Sequence, residues 1–336
     1  DVSRYNKILE ILVSGLYNRC QCIDIKKLRA ECILGCPENA GIRALVWKLL
    51  LNYLPPNASK WDVVSSKARA EYSSFLSEFI EKKFESTEIV DHPLSCDPES
   101  NWREYFDDNK VLLQINKDCR RLYPELDFFR RPTQFPLTAA VSSSLSVSSL
   151  RNRVETALTP CDQSLEEKRG DAAFHGDELL PHFEAHWEVV QRIIFVYYKV
   201  NKGSPYVQGM NEVVGPIYYV FANHPDLKER SFAEADTFFC FNNLMAEIQC
   251  NFNRSLDQDF GIGEFQMVQM LGRLDPELLC HLNRLQLEPT YFAFRWITLL
   301  FSREFMLPDV LRLWDCIFAD EHRFDLVLYI CCSMLM

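Results

Sequence analysis

Apolar residues recur every three or four positions through most of the chain. Tyr5, Ile8, Leu9, Ile11, Leu12 and Leu16 mark one helical face. Ile42, Leu45, Val46, Leu49 and Leu50 mark a second, which Pro55-Pro56 stops because proline cannot continue a helix. The run 61–84 is charged on one side and apolar on the other, and the same period predicts helices over 102–122, 184–200, 211–222, 232–253, 263–285, 292–305 and 308–318. No segment alternates with period two between hairpin turns. The pattern therefore predicts an all-α fold, and no fixed repeat length marks a helical solenoid.

The segment from about 138 to 176 breaks the pattern. It opens with Ser142-Ser-Ser-Leu-Ser-Val-Ser-Ser149, continues with mixed charges and small residues, and holds little sustained periodicity. Such a composition buries little apolar area and reads as a flexible insertion, a solvated surface loop expected to be mobile and dispensable for basal activity. Phosphorylation or partner docking is the other reading of its serines.

At 336 residues the chain is long enough for one large domain or two packed subdomains. Hydrophobic residues make up 48% and aromatics 13%, which excludes wholesale disorder. Only 11 glycines argue against a glycine-rich β-sandwich or a nucleotide-binding α/β fold. The net charge of −11 disfavours DNA or anionic lipid as the main partner and favours a protein or a small substrate. No apolar run reaches the roughly 18–20 residues that span a bilayer, and the first residues do not form a signal peptide, so the chain reads as cytoplasmic. It starts without Met and stops at Met336 inside an apolar stretch, as a piece of a longer protein would.

Thirteen cysteines without a secretory signal are expected as reduced thiols. Cys20, Cys22, Cys32 and Cys36 are close in sequence, but one residue between the first two is short for a zinc knuckle, and the residues from Ile23 onward have helical spacing. Cys331-Cys332 reads as core. His182 and His186 share a helix face at i and i+4, yet Glu184 points away from the pair and no third ligand is near, so a metal-dependent hydrolase is a weak reading.

Two other places carry chemistry. Lys117, Arg120, Arg121, Arg130 and Arg131 concentrate positive charge in an acidic chain, either as a solvated face or as a site for an anion such as a triphosphate. In the stretch from Lys202 to Met210, Gly and Pro fix a tight connection between two apolar helices. The Gln208 amide there can orient a water or merely cap backbone groups.

Taken together, Gly41-Ile-Arg43-x-x-x-Trp47, Ile115-x-x-Asp118-x-x-Arg121 and Tyr206-x-Gln208-Gly209-Met210 resemble the three ordered signatures of the TBC domain, the catalytic domain of GTPase-activating proteins for Rab GTPases. Pro289, Trp296, Phe301 to Phe305 and Trp314-Asp315 resemble the C-terminal half of that family, so the likeness spans essentially the whole chain. The resemblance implies an all-α domain of two helical subdomains, about 1–210 with the insertion and about 211–336 with its last helices cut short, flanking a groove that holds Arg121 and Gln208.

The resemblance also implies roles. Arg121 would be an arginine finger reaching the γ-phosphoryl group of a GTP-bound Rab, and Gln208 a glutamine finger that positions the attacking water. Asp118, Arg43, Trp47, Tyr206 and Gly209 would support them structurally. GTP and Mg²⁺ would belong to the partner, and the chain would be an activator with no cofactor or catalytic metal of its own. It would act as a monomer that contacts membranes only through the Rab, recruited peripherally to endomembranes, and would bind no nucleic acid. Two departures stand out: Leu122 follows Arg121 where the family usually has Thr, and Arg121 and Tyr206 are further apart than expected, an excess the insertion accounts for. A helical module that binds a GTPase or another protein without accelerating hydrolysis is the alternative.

Overall fold

The structure is a computed structural model describing residues 2–17, 22–81, 101–137, 150–157, 183–203, 205–252, 262–288 and 291–336. The helices are α1 (Val2–Tyr17), α2 (Ile25–Cys32), α3 (Ile42–Leu50), α4 (Trp61–Leu76), α5 (Asn101–Cys119), α6 (Leu150–Ala157), α7 (His186–Val200), α8 (Met210–Ala222), α9 (Leu227–Ser231), α10 (Ala233–Phe252), α11 (Ile262–Leu274), α12 (Pro276–Arg284), α13 (Ala293–Thr298), α14 (Leu307–Ala319) and α15 (Arg323–Leu335). Among the described residues there is no strand, only two isolated bridges, Cys22 with Asn57 and Pro132 with Ala185. No described helix is long and apolar enough to cross a membrane.

Local chemistry sets several boundaries. Asp24 caps α2 by accepting from the Lys27 N–H at 3.1 Å, and Asp275 caps α12 by accepting from the Leu278 N–H at 2.8 Å with Pro276 in the first turn. The cap at Asp275 divides the helix expected over 263–285 into α11 and α12. The helix expected over 292–305 shrinks to α13, because Leu300 and Phe301 adopt positive φ of 47° and 62° and turn the chain. Full burial of the Phe301 ring, together with the Trp314 indole donating to the Leu300 carbonyl at 2.8 Å, holds that strained turn.

By contact the chain divides into two units, residues 1–69 with 212–336, and residues 70–211. The expected division follows sequence order near 210, whereas the first 69 residues pack with the C-terminal segment. The physical reason is α14, whose apolar face packs on both α2 and α3. At its centre Trp47 lies 6.1 Å from Trp314 and 5.1 Å from Phe318, ring centre to ring centre, all three fully buried. Elsewhere in this unit α11 packs on α12, α13 and α15, and α10 on α3, α9, α11 and α13.

In the other unit α5 packs on α6 and α7. Leu112, Ile115 and Cys119 of α5 and Val190, Ile193, Ile194 and Val196 of α7 are buried there. The Asn116 amide donates to the Gln191 side-chain oxygen at 2.6 Å inside this interface. Helix α6 lies within the expected insertion and corrects part of it. Arg153 is buried between Tyr105 and Phe195, 5.0 and 4.9 Å from the ring centres, and donates to Asn109 at 2.8 Å. The rest of 138–176 lies outside the described residues.

Candidate functional site

Helix α5 ends in a tightened turn: the Arg120 N–H reaches the Asn116 carbonyl, the Arg121 N–H the Asp118 carbonyl at 3.2 Å, and the Leu122 N–H the Cys119 carbonyl at 3.1 Å. Leu122 and Tyr123 are buried, so the chain turns inward immediately after Arg121. That leaves the Arg121 side chain 60% exposed. Its Nε donates to the Lys117 carbonyl at 2.9 Å and its Nη2 to Asp118 Oδ1 at 2.7 Å.

Asp118 is buried and gathers the rest of the site. Its Oδ2 accepts from the Tyr206 hydroxyl at 2.8 Å and from the Gln114 amide at 3.1 Å, while the exposed Gln208 amide lies at the outer limit of a hydrogen bond, 3.5 Å from Oδ1. The Asn211 amide donates to the Asp118 carbonyl at 3.1 Å, fixing the start of α8 to the end of α5. Gly209 is buried with φ of 105°, a backbone region closed to side chains without strain, which sets the direction in which Gln208 leaves the loop. One carboxylate thus orients an exposed guanidinium and faces an exposed amide. A guanidinium can stabilise charge on a phosphoryl oxygen, and an amide can hold a water.

Gln114 and Asn211 escape the sequence reading. Asn211 offers a signal, a polar residue in the buried first turn of an apolar helix. Gln114 offers none, since it is exposed on α5.

Two of the other basic residues have partners of their own. The exposed Arg120 guanidinium sits 5.3 Å from the Trp187 ring centre, and Arg131 approaches Asp127 at 3.5 Å. His186 stacks on Phe128 with ring centres 4.2 Å apart, and burial lowers its pKa to about 4, so it is a neutral packing residue at neutral pH. His182 lies outside the described residues, as does Cys20. Cys32 and Cys36 are buried, Cys22 is exposed, and among the described residues no cluster could hold a metal ion.

Arg43 and Trp47 belong to the unit formed by 1–69 and 212–336. Both bind the fully buried Asp315, the Trp47 indole donating to Oδ1 at 2.8 Å and Arg43 donating at 3.2 Å, and the Cys36 N–H adds a third donor at 2.7 Å. Burial still pushes the Asp315 carboxyl above its usual pKa despite Arg43 beside it. Gly41, with φ of 72°, precedes this cluster, and a Cβ there would meet the His224 ring at 2.2 Å.

A second buried cluster in that unit was not anticipated. Asp236 accepts from Lys48 at 2.6 Å, Arg69 at 2.8 Å and Tyr53 at 2.7 Å, with Glu229 bonded to both cations. Burial alone would raise the Asp236 carboxyl, but hydrogen bonding from Arg69 and the charges of Lys48 and Arg69 hold it below the usual carboxylate value. The signal for this cluster is Lys48 inside the apolar run 42–50.

The Rab-GTPase-TBC domain family profile matches residues 184–336, a span containing Gln208 but not Arg121. The chain is 44% identical over 340 residues to TBC1 domain family member 13 of Homo sapiens, covering 94% of this chain and 85% of that protein. It is 28% identical over 283 residues to the GTPase-activating protein GYP7 of Saccharomyces cerevisiae, covering 84% of this chain and 33% of that protein. Among solved structures, the Ypt/Rab-GAP domain of Gyp1p matches with a TM-score of 0.64 over 99% of this chain and 84% of that chain; at 21% identity this likeness concerns the fold.

Proposed function

The chain belongs to the Rab-GTPase-TBC domain family, and from that premise we propose that it is a GTPase-activating protein for a GTP-bound Rab GTPase, supplying Arg121 and Gln208 in trans. The observation that carries the proposal is the shared anchor: Arg121 and Gln208 both face the buried Asp118 carboxylate while remaining exposed.

A Rab hydrolyses GTP slowly because charge builds on the transferring phosphoryl group and the attacking water is loosely held. Arg121 keeps guanidinium N–H groups available to the phosphoryl oxygens, and a trans-acting arginine contributes about 10³–10⁵ in rate. Asp118 limits the rotation of that guanidinium before the partner arrives, which lowers the ordering cost of the complex. Gln208 holds the water through its amide. GTP and Mg²⁺ come with the Rab, and the chain acts as a monomer that reaches membranes through its partner.

The test is single-turnover GTP hydrolysis by a panel of purified Rab proteins, with the wild type beside Arg121→Ala and Gln208→Ala. Stimulation of at least one Rab by the wild type, lost in both variants, is the expected result. Stimulation that survives both substitutions would reject the two fingers, and binding without stimulation would make the chain a silent recognition module.

A further inference from the structure

Arg120 and Arg121 are consecutive, and one residue step on this tightened turn separates their directions by roughly 100–120°. Arg121 turns to Asp118. Arg120 turns to Trp187 in the first turn of α7, a buried ring that serves as a fixed platform. A guanidinium held over an indole by cation–π attraction stays charged and keeps N–H donors to offer a planar anion.

The surroundings leave Arg120 uncompensated. Arg121 has Asp118 and Arg131 has Asp127, but among the described residues no carboxylate lies within ion-pair distance of Arg120. Arg131 borders the same turn of α7, its carbonyl accepting from the His186 N–H at 3.1 Å. His186 itself is neutral. An acidic chain therefore presents an exposed, pre-aimed cation next to its candidate finger.

We infer that Arg120 is a recognition residue, which pairs with a carboxylate on the surface of the partner GTPase at the rim of its nucleotide site. The inference rests on the reading given under Proposed function. A carboxylate is favoured over the phosphoryl group because Arg120 points away from the oxygen of Asp118 on which Arg121 and Gln208 converge. A planar fork of donors matches a carboxylate edge on.

The experiment is single-turnover hydrolysis by a responsive Rab, titrated with wild type and variants at low and physiological salt. Arg120→Ala should raise the half-saturating concentration about fivefold, the worth of one exposed ion pair, and Arg120→Glu should raise it more. Both should flatten its salt dependence. Arg120→Lys, which keeps the charge and loses the fork, should fall between wild type and Ala. The plateau rate should change far less than in Arg121→Ala, and an arginine replacing one acidic residue at the rim of the Rab nucleotide site should restore binding to Arg120→Glu.

Two results overturn the inference. A plateau that collapses in Arg120→Ala as it does in Arg121→Ala would make Arg120 part of the catalytic centre. A half-saturating concentration and salt dependence unmoved in Arg120→Glu would remove the contact. A wild type that stimulates no Rab is a different outcome, which rejects the activator reading and takes this inference with it.

Discussion

Asp118 lies one helical turn before Arg121 and holds its guanidinium at 2.7 Å through the same oxygen that faces the Gln208 amide at 3.5 Å. Asp118→Asn keeps the shape but replaces one acceptor with a donor, so Arg121 or the Tyr206–Gln114 pair loses its partner. Misplacing the guanidinium by about 1 Å should cost on the order of 10² in the plateau rate of stimulated hydrolysis. A titration of single-turnover rates checks this, and the half-saturating concentration should move much less.

Arg121→Ala should remove about 10³–10⁵ of stimulation. Arg121→Lys should fail too, because an ammonium cannot reproduce the fork of donors. Gln208→Ala should be comparably damaging, and a Rab whose own catalytic glutamine is replaced should still respond to the wild type. All three variants should melt close to wild type, since both side chains are exposed. Calorimetry beside the hydrolysis assay separates the two effects.

His186 gives stability a pH dependence. Its pKa is about 4 in the folded chain against 6.5 in a free histidine. Above pH 6.5 both states are neutral and nothing is lost, whereas between 6.5 and about 4 the unfolded chain takes up a proton that the folded chain refuses. Stability should therefore fall through that window by ~3 kcal/mol from this group. His186→Phe, which can keep the stack on Phe128, should flatten the melting temperature over the window relative to wild type.

Asp236→Ala takes the fully buried carboxylate from Lys48 and Arg69, leaves them Glu229 alone, and should cost about 3 kcal/mol. The folded carboxyl titrates below its ordinary value of 3.8. Its contribution is thus fully present above that value and is lost as pH falls through the lower folded pKa. Denaturant titration at neutral pH and at pH 3 checks both statements, with the variant differing less from wild type at the lower pH.

Arg153→Ala should cost about 3 kcal/mol, combining a cation–π contact with a charge-assisted hydrogen bond. Removing the whole of 138–176 should destabilise the protein by at least as much, whereas removing 138–149 alone should not. Thermal unfolding of the three variants decides this, and the comparison replaces the expectation that the entire insertion is dispensable.

The helices were legible where one apolar face runs between clear stops, as in α3 before Pro55-Pro56 and in α8. They were not legible where apolar spacing continues across a break: α11 and α12 share one stripe, and only the Asp275 cap with Pro276 divides them. Helix α6 shows no apolar stripe, because Arg153, Val154 and the Arg151–Glu188 ion pair anchor it in place of one. At the candidate site, spacing places Asp118 and Arg121 on one turn, but it cannot show that Tyr206 and Gln208 reach the same carboxylate from the far side of the insertion. The charged clusters at Asp315 and Asp236 join residues more than a hundred positions apart, which no local pattern encodes.

Asp315 binds Cys36, Arg43 and Trp47 across some 270 residues of chain. During synthesis on the ribosome the continuous unit 70–211 is complete well before Asp315 is added, whereas the first 69 residues must wait for the last 125. The apolar faces of α2 and α3 are therefore exposed until α14 has been made, which leaves the N-terminal segment in need of chaperone cover over that interval.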